Sequence, residues 1–290
     1  MKIKSLSIDF KIKSHFSKLA SNMIKSLLLM FFIASGSCAF SQGRVDGFYK
    51  GKGNADIVLG GGSEFTSNFY AGKNKIALPR DIHNLNLFIG AGLLDNLDLN
   101  LSVPFVMINN VRSLQDGSIY LKYKAYNKDL KKGNLSFSIA TGFSSNIVDY
   151  ETEGLSAIGQ QAKVLDIRPV VHYFSNNGWF GTAQVAYNHK NDPIPNAFNT
   201  ALKIGKAMAK DYFDVWYDYQ NSFGGLDYRG TPAPTTFKQL GVDYHKIGAT
   251  YYRTLAKKIG AYVGTSYVIT GRNISQGPAF NLGLVLKTNF

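Results

Sequence analysis

Apolar and polar residues alternate one by one along this chain, in segment after segment. In "NLDLNLSVPF", Leu97, Leu99, Leu101, Val103 and Phe105 share one parity, and Asp98, Asn100, Ser102 and Pro104 share the other. "NLSFSIATGF" sets Leu135, Phe137, Ile139 and Phe143 against Asn134, Ser136, Ser138 and Gly142. "KVLDIRPVVHY" sets Leu165, Ile167, Val171 and Tyr173 against Asp166, Arg168 and His172. "DYFDVWYDYQ" separates Phe213, Val215, Tyr217 and Tyr219 from Asp214, Trp216, Asp218 and Gln220. At the C-terminus Phe280, Leu282, Leu284, Leu286 and Phe290 alternate with Asn281, Gly283, Val285, Lys287 and Asn289, and only Thr288 breaks the greasy set. A period of two is that of a β-strand with one apolar face and one mostly polar face. Helical periodicity is nearly absent, and its best candidate, Ala201–Lys210, fits a strand as well.

The pattern predicts twelve strands, at roughly 52–62, 83–93, 97–107, 117–127, 134–145, 162–174, 178–189, 200–209, 211–221, 238–252, 258–270 and 278–290. Most are about ten residues long, the length that a tilted strand needs to cross an outer membrane. The connections alternate. Short ones ("LLDN", "KDLKKG", "SNNG", "AKD", "TLAKK") are interleaved with long ones at 63–82, 108–116, 146–161, 190–199, 222–237 and 271–277. An even strand count with short turns at one end and long loops at the other is the arrangement of an all-β, closed, antiparallel up-and-down transmembrane barrel. A secreted β-sandwich also consists of short strands and turns, but it keeps a charged outer face. Here that face is Leu, Phe, Tyr and Val, with aromatics beside the short turns (Tyr173, Phe174, Trp179, Phe180, Tyr212, Phe213), where membrane interfaces place them. With both termini and the short turns assigned to the periplasm, Lys128, Lys131, Lys132, Lys257 and Lys258 fall at that rim.

The first 41 residues change the picture of where the chain lives. "MIKSLLLMFFIASGSCAFSQG" has a basic start, a short apolar stretch and small residues, with Ala39 and Ser41 at the positions that a signal peptidase reads. Residues 1–41 are therefore expected to be an export signal, with Met23 an alternative start, and 42–290 the barrel. Cys38 suggests a lipoprotein, but Ser35 stands where that signal needs an aliphatic residue. Removing 1–41 takes six Lys and one Asp, which leaves 32 − 6 = 26 basic and 19 − 1 = 18 acidic residues, a balance of +8. Export argues against nucleic acid as the partner of that charge. Outer-membrane lipids and lipopolysaccharide of a Gram-negative-type envelope are the expected partners.

"FIGAGLLDNLDLNLSVPFV" resembles a hairpin of the outer-membrane proteins grouped as putative meta-pathway phenol-degradation transporters, which are FadL-like in style. Gly92, Leu93, Asp95, Leu97, Pro104 and Phe105 carry the likeness. "FYKGKGNADIVLGG" resembles that family's opening segment, and "DGSIYLKYKAY" the strand after it; together they cover about residues 48–145. The resemblance implies a monomeric channel passing small solutes, hydrophobic or aromatic, by passive diffusion. Only about ten residues separate the expected cleavage site from the first predicted strand, so no long N-terminal hatch is expected. The terminal Phe290 resembles the signal that barrel-assembly machinery recognises in outer-membrane proteins.

On this reading the lumen lining comprises Asp98, Lys122, Lys124, Asp166, Arg168, His172, Lys203, Asp214, Asp218, Asp243 and His245. Asp98 and Lys124 are placed to pair across adjacent strands, while Asp214, Asp218, Asp243 and His245 would form an acidic patch that selects or binds cations. The alternative for each residue is a satisfied polar network that fills a narrow lumen. No cofactor or metal is expected: the chain has neither an HExxH nor a GxSxG motif. "HYFSNNG" resembles the signature of the outer-membrane phospholipase A family. His172 and Ser175 are three residues apart, however, and so on opposite strand faces. No enzymatic activity is expected. The other functional reading is a non-conducting barrel that presents its long loops to a surface partner, such as the loop "FGGLDYRGTPAPTTFK".

Overall fold

The computed structural model describes residues 45–290, so the expected export signal lies outside the described residues. In chain order the strands are β1 (Asn54–Ala71), β2 (Asn74–Leu94), β3 (Leu97–Ile108), β4 (Val111–Leu114), β5 (Asp116–Leu130), β6 (Gly133–Asn146) and β7 (Val164–Ser175). They continue as β8 (Trp179–Lys190), β9 (Ala197–Ala207), β10 (Asp211–Ser222), β11 (Asp243–Ala256), β12 (Ile259–Arg272), β13 (Ile274–Gln276) and β14 (Pro278–Asn289). All strands but the short β4 and β13 pair antiparallel, each with the next, and form a closed ring of twelve. The ring closes where β14 meets β1, from Asn54↔Asn289 to Glu64↔Ala279. Closure leaves no barrel strand with an unpaired edge, a requirement in lipid, where no water can satisfy a free backbone N–H.

The register converts the sequence alternation into an inside and an outside. Leu284 is 56% exposed and Ile167 51%, whereas Asp166 and Asp214 are at 0% and 1%. A water-soluble protein has the opposite distribution; this surface is made to be solvated by hydrocarbon. At about 3.3 Å per residue and a tilt of about 45°, a twelve-residue strand rises about 28 Å, which matches a hydrocarbon core.

The short connections at 95–96, 131–132, 176–178, 208–210 and 257–258 lie at one end, with both chain termini of the barrel. At the other end the predicted loop 63–82 is corrected. It is a two-stranded extension of β1 and β2 closed by a turn at Gly72–Lys73, with Ala71 opposite Asn74. Pro79, within this extension, is absorbed by a register shift between Thr66 and Asn68, where the ladder skips a pairing. β13 lines the other side of this hairpin, from Asn68↔Gln276 to Tyr70↔Ile274. The predicted strand 238–252 is also shifted, to Asp243–Ala256; Phe237–Gln239 forms a 3-10 turn instead.

At the same end two long loops interlock. Gln160 Nε2 donates to the carbonyls of Phe237 and Leu240 at 2.9 and 3.0 Å, and Lys238 Nζ donates to Gln161 at 3.2 Å. The Glu153 carboxylate accepts from Phe237 N at 3.1 Å. Beneath them Tyr150 and Ile158 pack on Val106 and Ile108 of β3. Segment 147–163 is thereby tied to segment 223–242.

Candidate functional site: the lumen and its N-terminal segment

The residues just before β1 enter the barrel. Val45 is 2% exposed and packs with Tyr120, Ala140 and Val170 on the inner wall, and its carbonyl accepts from Gln184 Nε2 at 2.8 Å. Phe48 stands edge-on to His172, Phe174, Phe180 and Tyr212, with centroid distances of 4.7 to 6.2 Å. The last three, expected at the membrane interface, face the lumen instead, because they share the inward parity of His172, Thr182 and Asp214. Tyr49 donates to Ser138 Oγ at 2.8 Å. No long hatch was expected ahead of the first strand, and residues 45–50 are a short segment that nonetheless enters the lumen. These six residues bend at Val45 and Gly47, with Phe48 N donating to Asp46 Oδ1 at 2.7 Å, and so fold into the short-turn half of the lumen.

Lys122 is the post that holds this segment. Its ammonium lies 3.4 Å from Asp98 and 3.8 Å from Asp46, donates to the carbonyls of Asp46 and Phe48, and sits 4.1 Å from the Tyr49 ring centre. The side chain is 2% exposed, so its charge needs every one of these partners. Lys124 covers the same ring at 4.3 Å. Asp98 is opposite Lys122 in the ladder, so the expected Asp98–Lys124 pair is replaced by Asp98–Lys122. Lys50 Nζ binds Asp56 at 2.6 Å and its backbone N–H points at Asp98. Burial by itself would raise the Asp46 carboxyl, but the charges of Lys122, Lys50 and Lys203 outweigh it and hold the group below its ordinary value. Burial would lower the Lys50 ammonium, and Asp46 and Asp56 reverse that, so it is held above its ordinary value. Burial raises the Tyr49 phenol, which stays neutral.

Two glycines make room for the segment. A Cβ on Gly47 would run into the His172 ring, and one on Gly92 would run into the Gly51 carbonyl. His172, 6% exposed, is held by a hydrogen bond between its Nδ1 and Thr182 Oγ1 at 2.8 Å.

The remaining lining residues fall into separate pairs. Arg168 binds Asp166 at 2.9 Å and reaches Gln184 at 3.3 Å; Asn188 donates to the same carboxylate at 2.6 Å. Lys203 lies 3.3 Å from Asp214, which also accepts from the Tyr212 hydroxyl. Asp218 accepts from Tyr244 at 3.5 Å. The acidic patch is not assembled. His245 is opposite Tyr219 and Asp243 lies two residues away on the same parity, which faces outward with the 45%-exposed Ile247. Both parities of this stretch carry polar residues, so alternation alone does not orient it; Gly248 and Thr250, opposite the inward Trp216 and Asp214, do. His245 Nδ1 instead meets the Tyr217 hydroxyl at 2.6 Å, and Asp243 accepts from Ser222 N at 2.6 Å.

His172 and Ser175 do not meet: His172 turns inward, while Ser175 lies at a turn and donates to the Trp179 carbonyl at 2.9 Å. A serine–histidine contact that pattern reading missed is Ser63 with His83, on the outward parity of β1 and β2. Ser63 fell in the expected loop 63–82 and His83 at the start of the expected strand 83–93, so no pairing between them was predicted. Among the described residues Asn199 Oδ1, Asp214 Oδ1, Trp216 Nε1 and Ser266 Oγ are buried on the inner wall with no hydrogen-bond partner.

No family model matches this chain, and no curated protein matches it. Among solved structures it is similar to an outer membrane channel from Pseudomonas putida F1, at 14% identity and a TM-score of 0.64, over 85% of this chain and all of that one. It is also similar to the KdgM porin in complex with disordered oligogalacturonate (10% identity, 80% of this chain and 98% of that one, TM-score 0.48) and to the NanC porin (11% identity, 81% of this chain and 100% of that one, TM-score 0.49). At such identities the first likeness is one of fold, and the two porins are too distant to add to it. The fold is that of an outer-membrane β-barrel. None of these comparisons ties the chain to the phenol-degradation transporters.

Proposed function

We propose that this protein is an outer-membrane channel for small solutes, kept closed at its periplasmic end by the segment Val45–Lys50. The observation that carries the reading is how the lumen is blocked. Among the described residues the obstruction is the segment 45–50, which belongs to no strand and is held by contacts to Lys122, Asp98, Ser138 and His172 and by the carbonyl contact to Gln184. Such contacts exchange readily with water, so the segment can leave without disturbing a ladder. Its departure uncovers Phe174, Phe180 and Tyr212, a wall of aromatic faces suited to solutes with an apolar or aromatic part. The unpartnered polar atoms of the inner wall favour the same reading, because a wetted lumen would satisfy them.

Conductance in planar bilayers tests this. The protein lacking Val45–Lys50 should conduct several-fold more than the full chain and should speed the swelling of liposomes by small aromatic solutes. Equal, negligible conductance from both forms would sink the channel reading. It would favour the non-conducting barrel, for which the interlocked loops 147–163 and 223–242 are the supporting feature.

A further inference from the structure

The positive charge of the short-turn rim is organised as a collar on the outer surface of the barrel. Lys206 is opposite both Trp179 and Phe213, two outward-facing aromatics 44% and 37% exposed, and its ammonium lies 5.5 Å from the Trp179 ring centre. Lys128 is opposite Leu135 on the outward parity of β5, which Tyr126 shares. Lys131 and Lys132 in one turn and Lys257 and Lys258 in another continue the ring. None of these six lysines is in an ion pair among the described residues, and each is exposed or partly so. The acidic groups at this rim are engaged elsewhere: Asp211 with Arg253, Asp129 with Asn134, and Asp95 with the Lys52 backbone. Cations with long stems, set among aromatics at a membrane interface, place their heads at the depth of phosphate groups.

We infer that this collar binds anionic phospholipid head groups of the leaflet that surrounds the short-turn rim, with Lys128 and Lys206 as the lipid-facing cations and the turn lysines closing over the phosphates. The inference rests on the membrane reading above. Lipid is favoured over a soluble acidic polymer because Lys128 and Lys206 point sideways from the barrel wall among greasy residues, and away from its end. Each cation near an anionic surface favours association by roughly fivefold, an attraction that salt screens.

The test uses Trp179, one of only two tryptophans in the chain; the other, Trp216, faces the lumen. In the W216F protein, reconstituted into phosphatidylcholine–phosphatidylglycerol vesicles, brominated phosphatidylglycerol should quench Trp179 more strongly than brominated phosphatidylcholine at equal mole fraction. K128Q/K206Q should abolish the preference with vesicle incorporation unchanged, and high salt should weaken it in the unsubstituted collar. Equal quenching by the two lipids would overturn the collar and leave the membrane reading intact. Equal quenching, with co-sedimentation on cell-wall polymer lost in K131Q/K132Q/K257Q/K258Q, would overturn it in favour of a polymer partner. Quenching by neither lipid would overturn the membrane reading and the collar with it.

Discussion

Lys122 concentrates more of this protein's logic than any other side chain. It meets two carboxylates, two carbonyls and a phenol ring, and the expected Asp98 pairing belongs to it. Lys122→Met should loosen the N-terminal segment by about 3 kcal/mol or more, because Asp98 is left buried without its counter-charge. Bilayer conductance should rise, and the double variant with Asp98→Asn should recover much of the closure; a variant as closed as the parent would show that Lys122 only fills space. The same segment predicts a pH window. Asp46 is held below its ordinary value of 3.8 when docked, so its favourable contribution is complete above that value and is lost as pH falls through the depressed one. Lys50 is held above its ordinary 10.5, so its contribution is complete below that value and is lost as pH rises through the elevated one. The closed conductance should therefore be flat through neutral pH and rise only at the two extremes. Opening between pH 6 and 8 would contradict this.

Among the elements, the segment before β1 and the wall it rests on are matched in shape. Gly47 leaves space for the His172 ring, and Gly92 for the Gly51 carbonyl. Gly47→Ala should expel the segment and raise conductance, and His172→Gly in the same chain should restore closure, since it removes both the ring and the Cβ that the new methyl group meets. Barrel stability, followed by heat-dependent mobility in detergent gels, should be unchanged in both, because neither residue contributes an outward side chain to the wall. Failure of the second substitution to rescue the first would place the clash elsewhere. Elongation of the β1–β2 hairpin rests on the same economy of local fit, with Pro79 accommodated where the ladder shifts.

For the molecule as a whole, closure of the ring decides whether there is a protein at all. Phe290 is 72% exposed, and its backbone N–H donates to the Gly53 carbonyl at 2.9 Å beside the β14–β1 seam. Deletion of Phe290 should lower the fraction of chains that reach the heat-modifiable form in cells, while the molecules that do fold conduct normally. Unchanged insertion would remove the terminal aromatic as an assembly signal. At the opposite end of the barrel the bridging of Glu153 and Gln160 to segment 236–240 ties two of the long loops to each other.

The strands, their number and the direction that most side chains face were legible in the alternation, because a period of two in a closed sheet admits only one inside. Phe280, Leu282, Leu284 and Leu286 declared a lipid-facing strand before any partner was known. Where both parities are polar, as around Asp243 and His245, orientation waited on register with the neighbouring strand. The Ser63–His83 contact and the Lys122 network were not legible, since each joins residues whose spacing in the chain carries no period. The fate of Val45–Lys50 was hidden for a related reason. A short segment of mixed polarity has no preferred face of its own, and only a lumen lined by Lys122, Asp98, His172 and Phe180 gives it one.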